Sequence, residues 1–321
     1  MKLRSTLVAL LLAALTVPAL AQAPYPSKPV RIIVPFSPGG ATDIITRIVA
    51  QKLAEAWGQP IVVENRAGAA GNIGAAEVAK SAPDGYTLFM TSGSIVTANQ
   101  HIYKKMPFSP EKDLVAVVGV ATGPQIVVVP TNSPFKTLAD LIAAAKAKPG
   151  ELNYGHAGIG SQTHLAAENF LSAAGIEVTN IPYKGEAPAV ADVVGGQLNF
   201  ATPNLTAAIN FVTQGKLRAL AVTSKERVQQ LPDVPTVAET LPGFENMGWF
   251  GLMAPAGTPR EIIMKVYQDT ARILGSADLR GRFYTQGMVP MNTTPESFTQ
   301  QIREETEHWA KVVRERKIVV N

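Results

Sequence analysis

Short runs of β-branched and aliphatic residues alternate with amphipathic segments in the first part of the chain. Four of these runs have the length of buried strands, namely residues 30–34, 61–63, 86–90 and 115–120. Residues 42–57 carry apolar side chains at helical spacing with Gly58 as a stop signal, and a further helix is predicted over residues 72–80. Strands that alternate with helices predict a mostly parallel sheet covered on both faces.

A second series of the same kind surrounds a proline-rich break at residues 130–134. Thr137 and Asp140 have the spacing of a capping box and predict a helix start, and Gly150 marks the end of that helix. The apolar runs predict strands at residues 125–129, 152–155, 178–182, 198–201 and 218–222, with helices at 161–174 and 187–194. This series predicts a second α/β unit of similar size.

The last part of the chain has one strand-like run, residues 247–254, followed by helix starts at the Thr-Pro pairs 258–259 and 294–295. These helices need a sheet to cover, so we expect the chain to return to the first unit. The sequence therefore predicts an α/β fold in which two doubly wound lobes are joined by two crossing strands, as in a clamshell. The expected domains are residues 24–123 with 250–321, and residues 124–249.

The N-terminal residues have the pattern of a secretory signal peptide. Lys2 and Arg4 precede an apolar run over residues 7–17, and small residues lead to cleavage after Ala21 or Ala23. Removing 23 of the 321 residues leaves 298, which suits two domains of roughly 150 residues each. The apolar run is too short to span a bilayer, and we expect export to the periplasm.

Charge and cysteine content exclude several functional classes. Loss of Lys2 and Arg4 lowers the formal net charge from +4 to +2, and a nearly neutral chain with scattered basic residues argues against a nucleic-acid partner. The chain contains no cysteine, which excludes disulfides, thiol nucleophiles and thiolate metal sites. The four histidines show no metal-ligand spacing with carboxylates. No metal and no cofactor is therefore predicted.

Two glycine-rich corners, residues 34–43 and 155–164, each join a strand to a helix. The first N–H groups of a helix lack intrahelical partners and lie at the positive end of the helix dipole, so such a corner can bind a carboxylate or a phosphate. A tight turn capped by Thr42 or Asp43 is the alternative for the first corner. Because ligands of parallel sheets bind beyond the carboxyl ends of the strands, we expect both corners to face one cleft.

Short motifs are spread in order along the whole mature chain. They include Val34-Pro35-Phe36 with Pro38-Gly39-Gly40 and Asp43, Glu64-Asn65-Arg66, Gly71-Asn72-Ile73-Gly74, Gly160-Ser161 with His164, Pro182-Tyr183-Lys184-Gly185, and Trp249-Phe250-Gly251-Leu252. Together they resemble the periplasmic solute receptors of tripartite tricarboxylate transporters, also called Bug receptors.

The resemblance implies a two-domain receptor of the periplasmic-binding-protein type, and we expect a monomer. Such a receptor captures a small carboxylated organic acid, either a di- or tricarboxylate or an aromatic carboxylate, and delivers it to the membrane permease of the transporter. Carried over to this chain, the ligand contacts from the first corner are Phe36, Ser37, Gly39, Gly40, Ala41, Thr42 and Asp43. The contacts from the second corner are Gly158, Gly160, Ser161, Thr163 and His164.

Three further positions are candidates for ligand contact. Many family members carry an aspartate one residue before the asparagine that corresponds to Asn204, whereas this chain has Pro203 there. If that aspartate holds an amino group in relatives, this chain prefers a ligand without one. Ser92 follows a predicted strand at its carboxyl end and is expected near the cleft, with a plain polar loop as the alternative.

Local chemistry predicts the roles of individual residues in the corners. Asp43 is expected to accept N–H bonds from its own turn, and Ser161 is expected to be the N-cap of the following helix. His164 lies in the first turn of that helix, where the dipole disfavours the imidazolium form, so we expect a neutral imidazole.

Two other functions are compatible with parts of the sequence. An exported serine hydrolase would use Ser161 as nucleophile with His156 or His164 as base, but no third group is identified to orient the base, and a Gly-x-Ser-x-Gly elbow is absent. A ligand-sensing subunit of a signalling system would use the same closed surface as a transport receptor. The sequence favours a binding protein over an enzyme.

Overall fold

The computed structural model describes residues 24–316 and 318, so the predicted signal peptide lies outside the described residues. The strands in chain order are β1 (Val30–Val34), β2 (Ile61–Asn65), β3 (Thr87–Ser92), β4 (Leu114–Pro124), β5 (Ile126–Pro130), β6 (Asn153–His156), β7 (Thr179–Pro182), β8 (Phe200–Ala201), β9 (Leu217–Val222), β10 (Met247–Pro255) and β11 (Val289–Pro290). The α-helices are α1 (Ala41–Trp57), α2 (Asn72–Ala79), α3 (Gly93–Thr97), α4 (Asn99–Ile102), α5 (Pro110–Asp113), α6 (Leu138–Ala147), α7 (Gln162–Ala174), α8 (Glu186–Val194), α9 (Leu205–Thr213), α10 (Arg260–Leu274), α11 (Ala277–Thr285) and α12 (Pro295–Arg316).

The first lobe is built on a six-stranded sheet with the order β11-β4-β10-β3-β1-β2. Strands β1, β2, β3 and β4 run in the same direction, while β10 lies antiparallel between β3 and β4. The short strand β11 is antiparallel to β4 at the edge. The predicted mostly parallel sheet is therefore interrupted by the returning strand β10, whose direction the apolar pattern does not specify.

The second lobe is built on a five-stranded sheet with the order β7-β6-β8-β5-β9. Here β6, β7, β8 and β9 share one direction and β5 is reversed. Gln125 alone separates β4 of the first sheet from β5 of the second, and β10 brings the chain back to the first sheet. The predicted fold class, two α/β lobes joined by two chain passages, is confirmed.

The helices after β10 pack on the first lobe, as the apolar pattern predicts. Ile45 and Leu53 of α1, Val266 of α10 and Phe283 of α11 are fully buried in one cluster with Phe250 of β10. On the opposite face of the sheet, Phe298 of α12 lies edge-on to Trp249 with ring centroids 5.2 Å apart. The burial of these large apolar side chains gives the C-terminal segment a fixed place in the first lobe.

Several helices differ from the sequence expectation. The residues after Ser92 form the short helix α3 and not a plain loop. Helix α9 escapes prediction because its first five residues, 205–209, are all buried, so the segment shows no polar face from which to read a period. Within the described residues, no helix combines the length and the apolar character needed to cross a membrane.

Candidate functional site

The first corner connects β1 to α1 through two glycines. Gly39 has a φ of +84°, in the left-handed region that favours glycine. Gly40 is the N-cap of α1, in an extended conformation and without a side-chain cap. The alternative, a turn with Thr42 or Asp43 as the cap residue, is not observed, because Gly40 is the N-cap and both residues lie inside the first turn of the helix. A glycine at the N-cap lets another part of the protein approach the N–H groups of this turn.

Asp43 fixes the shape of the first corner. Its carboxylate accepts hydrogen bonds from the Gly39 N–H at 3.0 Å, from Asn65 Nδ2 at 2.9 Å and from Arg47 Nη2 at 2.9 Å. Asn65 also donates to the carbonyl of Phe36 at 3.0 Å. Burial opposes ionisation of the carboxyl, but these donors outweigh it and hold the pKa of Asp43 below its ordinary value. The predicted role of Asp43 in its own turn is confirmed.

The second corner connects β6 to α7 and is held by hydroxyl groups. Ser161 Oγ accepts the His164 N–H at 3.2 Å as the N-cap of α7, which confirms the prediction. Thr163 Oγ1 accepts the Ala157 N–H at 3.0 Å. Gly158 and Gly160 have φ values of +110° and +90°, so this corner also depends on glycine.

Removal of the Ser161 hydroxyl should destabilise the second lobe. Ser161 is 1% exposed, so Ser161→Ala leaves the His164 N–H without a partner in a buried site. Loss of an N-cap typically costs about 1 kcal/mol of unfolding free energy, and burial places this site towards about 2 kcal/mol. Urea unfolding measures the change, with Ser297→Ala at an exposed position as control. Equal stability of the two variants would contradict the capping role.

Two buried, neutral histidines stabilise the second corner by accepting hydrogen bonds from its backbone. The rings of His156 and His164 lie 4.5 Å apart, and Nδ1 of each accepts a glycine N–H, from Gly158 at 3.2 Å and from Gly160 at 3.3 Å. Burial lowers the pKa of both side chains to about 4. The predicted neutral state of His164 is confirmed, but burial is its main cause and not the helix dipole.

Each corner contacts the opposite lobe across the cleft between the lobes. The Ser37 N–H donates to the carbonyl of Lys184 at 3.1 Å, and a Cβ added to Gly39 would lie 3.4 Å from Cβ of Ala187. Further along the cleft, the Tyr103 hydroxyl donates to the carbonyl of Ile159 at 2.7 Å. The lobes are therefore closed on one another, and both corners lie at their interface, each against a different segment of the opposite lobe.

A cavity of about 690 Å³ lies in this cleft. It is lined from the first lobe by residues 68–70 and Tyr103, and from the second lobe by residues 158–159, residues 182–184 and Pro188. Another cavity, of about 490 Å³, lies within the first lobe against α12 and has no residue of either corner in its wall. Of these two cavities, only the one in the cleft is lined by both lobes, and its wall contains residues of the second corner but none of the first, so we take it as the candidate site.

The remaining predicted residues occupy different environments. Phe36 and Thr42 are buried within the first corner, and Ala41 is the first residue of α1. Asn204 lies at the start of α9, and the Pro203 carbonyl accepts the Ile126 N–H at 2.9 Å. Ser92 pairs with Phe250 of the same sheet, its carbonyl accepts the Thr91 hydroxyl at 2.9 Å, and its buried Oγ has no hydrogen-bond partner among the described residues.

Glu186 is a cleft residue that the sequence analysis missed. It is the first residue of α8 in the second lobe, yet a Cβ added to Gly40 of the first lobe would lie 3.5 Å from the Cβ of Glu186. The sequence starts this helix one residue later and gives no sign that its end meets the opposite lobe. The only available signal is an acidic residue directly after the Pro182-Tyr183-Lys184-Gly185 motif.

The geometry around Ser161 is that of a helix cap. Its Oγ bonds the His164 backbone and lies 3.2 Å from Thr163 Oγ1, while the His164 ring is engaged by the Gly160 N–H. A nucleophile would need its hydroxyl directed at the ring of the base. Among the described residues there is also no cluster of three or more histidine, aspartate or glutamate side chains suited to a metal ion.

Comparison with known proteins identifies the family and agrees with the two-lobe fold. The family model described as "Tripartite tricarboxylate transporter family receptor" matches residues 45–318. Protein BugT of Bordetella pertussis is 41% identical over 293 residues, which cover 91% of this chain and 90% of that protein.

Solved structures give the same result. Rpa4515 of R. palustris, determined with adipate, is 36% identical with a TM-score of 0.88 over 90% of this chain and 97% of that one. MatC of Rhodopseudomonas palustris, determined with bound malate, is 32% identical with a TM-score of 0.85 over 90% of this chain and 100% of that one. The chain therefore belongs to the tripartite tricarboxylate transporter receptor family of periplasmic solute-binding proteins.

Proposed function

We propose that this protein captures a small organic acid in the cleft between its lobes and delivers it to the membrane permease of a tripartite transporter. The observation that carries the proposal is a closed cleft at which two glycine corners, each at the start of a helix, contact the opposite lobe. Relatives solved with adipate and with malate support a carboxylate as the ligand. We further propose that the protein works in the periplasm as a monomer, after removal of its signal peptide.

In this proposal one ligand carboxylate lies at the N-terminus of α1, where helix N–H groups favour an anion. The predicted residues of both corners, with Asn204, surround the rest of the ligand. Pro203 stands where many relatives have an aspartate, and we propose a ligand without an amino group. The two domains are proposed to comprise residues 24–123 with 250–321, and residues 124–249.

Ligand binding should stabilise the protein measurably. An acid at 100 times its dissociation constant raises the unfolding free energy by about 2.7 kcal/mol. A thermal-shift screen would include adipate, malate, aspartate, tricarboxylates and aromatic monocarboxylates, with uncharged amides of the same acids as controls. Stabilisation by none of the acids would contradict the proposal. A pull-down with and without the best acid would separate delivery to a permease from docking on a signalling protein.

A further inference from the structure

Glu186 is a buried carboxyl group with one oxygen engaged and one without a partner. It is 7% exposed, and its Oε1 accepts a hydrogen bond from Asn204 Nδ2 at 2.6 Å. Among the described residues, Oε2 has no hydrogen-bond partner. A buried carboxyl normally satisfies both oxygens or pairs with a cation, because desolvation of an unpaired charge is costly.

A network of side-chain amides determines which carboxyl oxygen of Glu186 has no hydrogen-bond partner. Asn204 Oδ1 accepts hydrogen bonds from Gln125 Nε2 and from Gln162 Nε2, both at 2.9 Å, so the Asn204 amide nitrogen must point at Glu186. Gln125 is held in turn by Asn246 Nδ2 at 2.7 Å. Gln125 and Asn246 stand at the two chain passages between the lobes. The network therefore anchors the Glu186 carboxyl through Oε1, while Oε2 has no hydrogen-bond partner among the described residues.

The carboxyl lies against the anion-binding end of α1. A Cβ added to Gly40 would be 3.9 Å from the carboxyl carbon of Glu186, and the Ala41 backbone N–H interacts with the carboxyl. This is also the place proposed for a ligand carboxylate. Two carboxyl groups that share one small, buried site do not both ionise, and the pair retains one proton.

We infer that neutral Glu186 donates a hydrogen bond from Oε2 to a carboxylate of the ligand, so that capture of the ligand at alkaline pH takes up one proton. The inference rests on the proposed function and deepens it, because it assigns a specificity-determining residue to the carboxylate site. The proton comes from the solvent and stays on the pair, and no covalent bond changes. An ionised Glu186 would instead repel the ligand.

The electrostatic surroundings agree with a neutral Glu186. Burial raises its pKa to about 7, although the side chain of Asn204 and the backbone N–H groups of Asn204 and Ala41 favour the charged form. Helix α8 packs against β5, β6, β8, α9 and the start of α1. The other titratable side chains on these elements, on α8 itself and just before it are Asp43, Arg47, Lys52, Glu55, Tyr154, His156, Tyr183, Lys184 and Asp192. Of these, Asp43 is paired with Arg47, and His156 is neutral near pH 7.

The test is calorimetric titration of malate at pH 6 and pH 8, each in two buffers with different ionisation enthalpies. Wild type should take up about 0.9 proton per malate at pH 8 and about 0.1 at pH 6. Its affinity for malate should fall about tenfold when the pH is raised from 6 to 8. Glu186→Gln keeps a donor that does not titrate, so it should take up no proton and show less than a twofold change. Glu226→Gln makes the same substitution at an exposed carboxylate of the second lobe and should behave like wild type.

Aspartate is the matched second probe, because it differs from malate only in an amino group in place of the hydroxyl. Tighter binding of aspartate without proton uptake would overturn the inference, since an ionised Glu186 would then pair with the ammonium group. Malate binding without proton uptake at pH 8 would also overturn it. If malate does not bind, the strongest acid of the thermal-shift screen replaces it. If no acid binds wild type or Glu186→Gln, the proposed function fails, and the inference fails with it.

Discussion

Gly185→Ala should weaken ligand binding about 100-fold while leaving the second lobe folded. Gly185 has a φ of 166°, an extended conformation that any residue adopts, so alanine introduces no backbone strain. Its Cβ, however, would lie 2.9 Å from the Ser37 backbone nitrogen and 3.1 Å from Ser37 Cβ in the opposite lobe. Overpacking of this kind costs up to about 3 kcal/mol, which corresponds to a roughly 100-fold weaker affinity.

The clash exists only when the lobes are closed. The Ser37 N–H bonds the Lys184 carbonyl in the closed cleft, and the added methyl group would hold these two segments apart. We therefore expect a larger radius of gyration in small-angle scattering with the ligand present, together with the loss of affinity. Urea unfolding of the free protein should change little.

Gly195→Ala is the matched control at the other end of the same helix. Gly195 has an ordinary right-handed conformation, and an added Cβ would make ordinary contacts within its own helix, with the carbonyl oxygens of Ala191 at 3.5 Å and Asp192 at 3.8 Å. This variant should bind ligand like wild type. Unchanged affinity of Gly185→Ala would show that the ligand-bound protein does not adopt the closed arrangement described above.

The parts of the site that were predictable depend on local chemistry. The Ser161 cap could be predicted from a serine at a helix start. The hydrogen bond from the Gly39 N–H to Asp43 could be predicted because the two residues are only four positions apart in the chain. The strands follow from β-branched runs because buried strands of such sheets are apolar throughout. The family could be identified because its motifs are spread over the whole chain.

The parts that were not predictable depend on how distant segments meet. Glu186 faces Gly40 only because the two lobes close, and no pattern near residue 186 encodes that contact. The Gln125–Asn204 bond joins residues 79 positions apart. The state of His164 was predicted from the helix dipole, whereas burial by the folded lobe is the main cause of its low pKa. Sequence therefore located the corners but not the polar groups that the closed cleft brings to them.

The buried histidine pair should make the protein labile to acid. Burial lowers the pKa of His156 and of His164 from 6.5 to about 4. Between these pH values the two side chains are therefore mostly protonated in the unfolded chain and mostly neutral in the folded protein. Their stabilising contribution is complete above pH 6.5 and is lost as the pH falls towards 4. Each pKa shift corresponds to about 3 kcal/mol of unfolding free energy.

Glu186 acts in the opposite direction over nearly the same range. Its pKa is raised from 4.5 to about 7, so its contribution to stability is present below pH 4.5 and is lost as the pH rises through 7. On acidification, the stability gained from Glu186 therefore offsets the stability lost from about one of the two histidines. For the three groups together, we expect a net loss of about 3 kcal/mol between pH 7 and pH 4, and about twice that loss in Glu186→Gln.

His164→Gln isolates one member of the histidine pair. Glutamine retains a side-chain acceptor for the Gly160 N–H but does not titrate, so the variant should lose less stability on acidification. The stability difference between wild type and variant, measured by urea unfolding at each half pH unit from 7 to 4, should shift by about 3 kcal/mol in favour of the variant. His308→Gln, at an exposed position of α12, controls for the loss of an imidazole and should follow the wild-type profile. Parallel profiles for wild type and His164→Gln would mean that His164 is not held neutral in the folded protein, and the bracing of the second corner by a deprotonated ring would have to be rejected.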